Sequence, residues 1–247
     1  DKFRSSGVIK LPSAPYKIKM SPDGKKLAAV CQSEAAVYDA ESLKSLMTCP
    51  MMDSALADAL FSDDSHLLAA GKDGVSLYNI ESGEQMWRAG MASTLTISGD
   101  GQVAAALDRD RNIVSFYDMK DGQLLRERSM GDKKMPSAFN DSFADPDNAI
   151  FCLNMDGTML AISFSDGGLY VMDAEHPEDD LIVYESSDYS EFAGGFHGDK
   201  FVFSAGKSGH SLFVLVNVKE GTYIGDMESN LRMKAKADER GIWVSEG

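Results

Sequence analysis

Long apolar runs are missing from this chain: within its 247 residues no stretch approaches the eighteen or so apolar residues that a membrane-spanning helix requires. That excludes a helical span within the sequence. Basic residues are also scarce, with 24 Lys and Arg against 39 Asp and Glu and a formal charge of -15. A nucleic-acid surface works by displacing counterions with clustered cations, and the cations here are scattered, so nucleic acid is disfavoured as a partner. The three cysteines, Cys31, Cys49 and Cys152, lack both the paired spacing of a zinc site and the density of a disulfide scaffold. They read as small buried apolar residues, the alternative being one disulfide and a free thiol. There is no Gly-x-Ser-x-Gly elbow, P-loop or dinucleotide fingerprint. The chain begins at Asp1 without an initiator Met or a signal-like segment, and it is expected to be part of a longer protein.

What the sequence does have is a repeat. A short apolar strand runs into a tight polar turn five times: at Ser21-Pro22-Asp23-Gly24, Ser62-Asp63-Asp64-Ser65, Ser98-Gly99-Asp100-Gly101, Asn154-Met155-Asp156-Gly157 and His197-Gly198-Asp199-Lys200. Each turn leads into a strand of small and aliphatic residues, such as Leu27-Ala28-Ala29-Val30 or Val103-Ala104-Ala105-Ala106, suited to packing between two neighbouring sheets. A third strand then ends on Asp or Asn, at Asp39, Asn79, Asp118, Asp173 and Asn217. An Asx side chain there can accept a backbone N–H from the coming turn. A Gly four residues on supplies the positive φ of a bulged hairpin. Gly83, Gly122 and Gly221 fill that place, whereas Leu43 and Pro177 depart from it. A fourth strand follows.

Successive Asx positions lie 40, 39, 55 and 44 residues apart, three of them near the roughly 40 to 45 residues of a propeller blade. On these Ser-Pro-Asp-Gly type turns and Tyr-Asp endings, from about Tyr16 to Met227, the chain resembles the WD-repeat, YVTN and quinoprotein-like β-propellers. It differs from true WD repeats in having Tyr-Asp or Tyr-Asn for Trp-Asp and no Gly-His opener. A β-sandwich also has regularly spaced short strands but no reason to repeat a unit of this length. The expected fold is therefore all-β, a single propeller domain over residues 1–247 built from four-stranded antiparallel blades. Six blades are expected, the last composite: two strands over Arg232 to Ser245, joined by Val8-Ile9-Lys10-Leu11 from the other terminus. The missing third strand keeps seven blades open. The second register, in which Ala144-Asp145-Pro146-Asp147 forms a blade turn, fits less well than the one in which Leu160 to Ala174 belongs to an ordinary blade.

The resemblance implies function on the rim shared by the loops between strands two and three and those between blades. Candidate rim residues are Lys72 and Asp73, then Asp108, Arg109, Asp110 and Arg111, then Lys207 and His210. The 55-residue interval adds an insertion over Ser129 to Asn148, with Lys133, Lys134, Phe139 and Phe143, that could cover a channel mouth or contact a partner. Plain solvated surface is the competing reading for all of them. His66, His176 and His197 belong to turns on the opposite side from His210, a layout that does not converge on a metal. Asp145-Pro146-Asp147-Asn148 lacks the Gly and distal Glu of a calcium loop. Trp87 and Trp243 read as core between blades, and the fourteen Met, including Met47, Met51 and Met52, as core filler. The sequence thus predicts a monomeric, non-catalytic module that binds a protein or peptide and needs no cofactor. The alternative is a propeller enzyme of the quinoprotein or lactonase-like kind, using acidic channel residues and calcium, for which Tyr78 to Trp87 offers one quinoprotein-type repeat.

Overall fold

The computed structural model describes residues 7–15, 17–31, 34–50, 58–71, 74–133, 149–185, 191–207, 210–229, 233–238 and 241–246. Among these the secondary structure is strand throughout, apart from one 3-10 turn at Pro177–Asp179. The strands form five four-stranded antiparallel sheets and one two-stranded sheet, each with its strands side by side in chain order. The first holds β1 (Lys17–Met20), β2 (Lys26–Val30), β3 (Glu34–Asp39) and β4 (Ser45–Pro50), and the second β5 (Asp58–Phe61), β6 (His66–Gly71), β7 (Gly74–Asn79) and β8 (Gln85–Arg88). The third holds β9 (Thr94–Ile97), β10 (Val103–Asp108), β11 (Ile113–Asp118) and β12 (Leu124–Ser129). The fourth holds β13 (Phe151–Leu153), β14 (Met159–Ser163), β15 (Gly168–Asp173) and β16 (Leu181–Glu185), and the fifth β17 (Glu191–His197), β18 (Lys200–Lys207), β19 (His210–Asn217) and β20 (Thr222–Ser229). The last holds β21 (Met233–Asp238) and β22 (Gly241–Glu246). The five expected blades are thus five sequential meanders, and β13 to β15 follow the register in which Leu160 to Ala174 belongs to a blade. Residues 144–147 lie outside the described set.

The turns fold as their residues dictate. Ser21 Oγ donates to Asp23 Oδ1 at 2.7 Å and accepts the Lys26 N–H at 2.9 Å, while Asp23 Oδ1 also accepts the Lys25 N–H at 3.0 Å. Ser98 and Asp100 repeat the arrangement, and Asn154 with Asp156 does so with an amide in place of the hydroxyl. The hydrogen bond from Ser21 holds the Asp23 carboxyl below its ordinary value, and that from Thr158 does the same for Asp156. At the next hairpin the Asx residues accept turn N–H groups, from Ser42 to Asp39 at 2.7 Å and from Ser82 to Asn79 at 2.9 Å. A bulge accompanies each of these hairpins, as between Val37 and Tyr38 or Phe116 and Tyr117. Leu43, where the sequence breaks the Gly rule, adopts φ +60° all the same, beside +70° at Gly83 and +73° at Gly122. The hairpin imposes the left-handed conformation whatever residue stands there. At Pro177 the connection escapes the rule by lengthening into the 3-10 turn.

The chain divides into two compact units, Asp1–Leu95 with Asp121–Gln123, and Thr96–Lys120 with Leu124–Gly247. In the first, Ala28, Val30, Ala35 and Val37 of the first sheet meet Ala59, Leu67, Ala69 and Ile80 of the second, with Met47 and Cys49 between them. Side chains as small as alanine let the sheet faces approach closely, and dense packing of this kind excludes water from the strand centres. In the second unit Leu107, Val114 and Phe116 pack on Leu160, Ile162 and Phe164, and Ala161, Leu169 and Val171 pack on Phe192, Phe201 and Phe203. Ala235 of β21 closes against Val202 and Phe213.

Three expectations need correction. Val8 to Leu11 belongs to no sheet; Ile9 and Leu11 instead pack against Ala29, Ala36 and Tyr38. Trp87 is buried as expected, but Trp243 is 46% exposed, because β22 has no third strand beside it among the described residues. Methionine is divided: Met47, Met119, Met130 and Met172 are buried, whereas Met20, Met86, Met91, Met155 and Met227 are exposed, and Met51 and Met52 lie outside the described residues. The three cysteines are free thiols, Cys31 and Cys49 buried and Cys152 partly so.

Candidate functional site

The best-defined part of the expected rim lies in the second unit, where β10 turns into β11. Asp108 closes β10 almost fully buried, and its Oδ1 accepts the Arg111 N–H at 3.1 Å. The Arg111 guanidinium stands 3.8 Å from Asp108 Oδ2 and 4.0 Å from Glu127 Oε1, and Glu127 Oε1 also accepts the Ser115 hydroxyl at 3.0 Å. Arg111 is 60% exposed, so these ion pairs contribute little to stability and leave the cation open to a partner. Arg109 is half-buried and Asp110 exposed.

Asn112 organises the neighbouring segment. It sits at φ +54°, a conformation that Asn tolerates better than most residues. Its Nδ2 donates to the Gly131 carbonyl at 2.7 Å and the Lys133 carbonyl at 3.0 Å, and its own carbonyl accepts the Met130 N–H at 2.9 Å. This clamp fixes the start of the connection between the third and fourth sheets. The connection is also shorter than the sequence suggested, since Ser129 completes β12 and Met130 is core. Lys133 then lies over the fourth sheet, its Nζ 3.8 Å from the Tyr170 ring centroid and 5.4 Å from that of Phe164. The two rings meet edge to face at 5.4 Å, so the ammonium rests on a rigid aromatic base.

The structure therefore brings Arg111 and Lys133 onto one ordered surface, with Asp108 and Glu127 positioning the first and Tyr170 the second. The backbones of Lys207 and His210 pair at the end of the β18–β19 ladder, and His210 is exposed. Lys72, Asp73, Lys134, Phe139 and Phe143 lie outside the described residues, as do Asp145 and Asp147. Sequence reasoning missed Asn112, Glu127 and Tyr170. The first left a faint signal, an Asn closing the four-residue loop between β10 and β11, while the other two read as ordinary strand positions.

The opposite ends of the strands hold an opening of about 680 Å³, lined by Asn154, Met155, Phe196, His197, Asp199 and Lys200 among others. His197 Nδ1 lies 2.8 Å from the Asp238 carbonyl, an acceptor only, so Nδ1 carries the proton. Cys152 borders the same opening, and burial pushes its thiol up to about 12, which keeps it protonated and unreactive at neutral pH. Among the described residues no three His, Cys, Asp or Glu side chains are grouped closely enough to hold a metal ion. His66 pairs with Asp63 at 2.8 Å and His176 with Glu178 at 3.5 Å, both within their own turns.

No protein-family model and no curated protein sequence matches the chain. Solved structures do resemble it in fold. Hydrazine synthase of Kuenenia stuttgartiensis superposes with a TM-score of 0.58 at 14% identity, over 98% of this chain and 77% of that one. BamB from Moraxella catarrhalis gives 0.56 at 15% identity, over 93% and 67%. KlAtg21, in its complex with the coiled coil of AgAtg16, gives 0.58 at 14% identity, over 85% and 69%. At such identities the likeness is one of fold, and the fold is propeller-like. It carries no activity across, because one architecture hosts unrelated functions.

Proposed function

We propose that the chain is a non-catalytic interaction module that binds a protein or peptide through the loop rim at Arg111 and Lys133. In this reading residues 1–247 are one WD-repeat-like propeller of six blades. The observation that carries the proposal is a pair of cations held in place, the exposed Arg111 by Asp108 and Glu127 and the half-buried Lys133 by Tyr170 and the Asn112 clamp. Cations prepositioned on an acidic protein select a partner carrying carboxylates, since side chains already ordered lose little further entropy on binding. A propeller-like structure in complex with a coiled coil, that of KlAtg21, supports the same use of the fold.

The test is capture of partners by the immobilised chain, compared with a deletion of residues 134–148 and with Arg111→Ala/Lys133→Ala, with cross-links mapped by mass spectrometry. Partners are expected to cross-link near Lys133 and to be lost from the double variant. Unchanged recovery, or cross-links confined to the opposite strand ends, would discard the rim. Asn112→Ala is expected to weaken capture while leaving both cations present, because it frees the backbone that orients Lys133.

A further inference from the structure

We propose that the opening beside the fifth turn is a binding site for a small zwitterion with an apolar body, of the size of a dipeptide with free termini. The site is independent of the loop rim and lies wholly in the second unit. It stands where the repeat stops spending its polar side chains on structure. In the first four turns Asp23, Asp63, Asp100 and Asp156 each accept a turn N–H, from Lys25, Ser65, Gln102 and Thr158 at 2.6 to 3.1 Å. The fifth turn is shorter. His197 pairs directly with Lys200 and Gly198 takes φ +57°, so the backbone alone closes the hairpin. Asp199 supplies only its carbonyl, which accepts the Val218 N–H at 3.0 Å. Among the described residues neither its carboxylate nor the Lys200 ammonium has a partner. His197 stands where Ser21, Ser98 and Asn154 bond within their own turns, but its Nδ1 donates to the Asp238 carbonyl at 2.8 Å. That leaves Nε2 of the neutral ring as an acceptor.

These three released groups line one opening of about 680 Å³, within the roughly 300 to 1,000 Å³ of small-ligand sites. Ile97, Leu153 and Phe196 line it as well, the last two each 7% exposed. A carboxylate and an imidazole acceptor call for a donor, and the neighbouring ammonium calls for an acceptor. A plain anion would meet Asp199 and a net charge of -15, and a plain cation would meet Lys200. A zwitterion answers both charges, and its side chains answer the apolar wall. The walls are also fixed in advance. The Asp100 N–H donates to the Met155 carbonyl at 2.9 Å, joining the third and fourth turns, and His197 ties the fifth to Asp238. Such preorganisation lowers the ordering cost of binding.

The test titrates the full 247-residue chain with leucyl-phenylalanine at pH 8, by calorimetry and by amide NMR. A Kd of about 0.1 mM or tighter is expected. The amides of residues 153–155 and 194–200 should shift on binding. The N-acetyl and C-amide derivatives of the dipeptide should each bind about tenfold more weakly or worse, having lost one charge-assisted hydrogen bond. Asp199→Asn and Lys200→Gln should cause the same loss for the free dipeptide at unchanged Tm, since both side chains are exposed and the backbone makes the turn. Asp199→Asn should weaken the N-acetyl derivative no further, because the group it serves is already gone. Absence of heat and of shifts at about 5 mM dipeptide overturns the proposal. So does equal binding of the free and blocked forms, or a set of shifts confined to residues outside the opening.

Discussion

Lys17 Nζ stands 3.0 Å from Asp58 Oδ1, tying the first strand of the first sheet to the first strand of the second. Asp58 is buried, and its other oxygen accepts the Leu95 N–H at 3.1 Å, so one carboxylate joins β1, β5 and β9. The ammonium lies off the hydrogen-bond direction of Oδ1, and the contact acts as an ion pair. Asp58→Ala removes the counter-charge and strands an amide. Breaking a buried pair costs about 3 to 5 kcal/mol, and the partial exposure of Lys17 brings the expected loss to about 2 to 3 kcal/mol. Asp58→Asn keeps an acceptor for Leu95 and should lose about half as much. Urea unfolding measures both, and an alanine variant as stable as the parent would remove the latch from the account.

Leu43 holds φ +60° in the hairpin where Gly83, Gly122 and Gly221 stand in the second, third and fifth sheets. An L-residue with a branched side chain is strained there by about 1 to 2 kcal/mol. Its Cδ1 also lies where a Cβ on Gly7 would be, so some packing is lost with the side chain. Leu43→Gly is expected to stabilise the chain by a net of about 0.5 to 1 kcal/mol, the entropy of the freer unfolded chain included. Thermal unfolding decides it, and a fall in Tm would mean that the packing on Gly7 outweighs the strain.

These two residues mark how far sequence reading reaches. The Ser-x-Asp-Gly turns and Asx-ended strands were legible because their bonds are local, made within five residues, and so fix their own spacing. From them the five meanders followed in the right register. Leu43 was visible only as an exception, since the sequence could not say whether the hairpin or the residue would yield. The Lys17–Asp58 pair was not legible, because it joins positions 41 residues apart and neither residue breaks a strand pattern. The same holds for Tyr170 beneath Lys133, 37 residues away. Val8 to Leu11 misled for the opposite reason: a short, mostly apolar run is compatible with a strand, but it packs Ile9 and Leu11 against the first sheet without joining a sheet.

Cys49 and Cys152 supply a pH dependence. Burial pushes each thiol from 9.0 up to about 12. Between those values the unfolded chain has lost protons that the folded chain keeps, so the folded state binds more protons and stability falls as pH rises. Below about pH 9 the contribution is fully present; it drains away toward pH 12, at up to about 1.4 kcal/mol per pH unit for each thiol. Urea unfolding followed from pH 8 to 11 should show this decline. Cys49→Ala should remove about half of it, leaving the part that belongs to Cys152, at some cost in packing. A thiol reagent at pH 8 should leave buried Cys49 unlabelled until the chain unfolds, and its rapid labelling in the native chain would contradict its burial.

Gly195 offers a sharper test of the packing that carries β21. A Cβ added at Gly195 would lie 2.3 Å from the Ala237 carbonyl oxygen, and the obstacle is backbone, which cannot rotate aside as a side chain could. Gly195→Ala must therefore push β21 away from β17. The buried Ala235 contact and the bond from its N–H to Ser204 would go with it. Gly198, three residues on, provides the control. Its φ is +57° and a Cβ there meets nothing within 4 Å, so Gly198→Ala carries only backbone strain of about 1 kcal/mol. Loss of close packing with an orphaned buried amide amounts to about 3 kcal/mol, which sets the expected gap between the two variants. Hydrogen exchange tells where the damage falls: residues 233–246 should lose protection in Gly195→Ala and keep it in Gly198→Ala. Equal effects of the two substitutions would mean that β21 does not depend on the bare backbone of Gly195, and that the close approach is not what seats the last sheet.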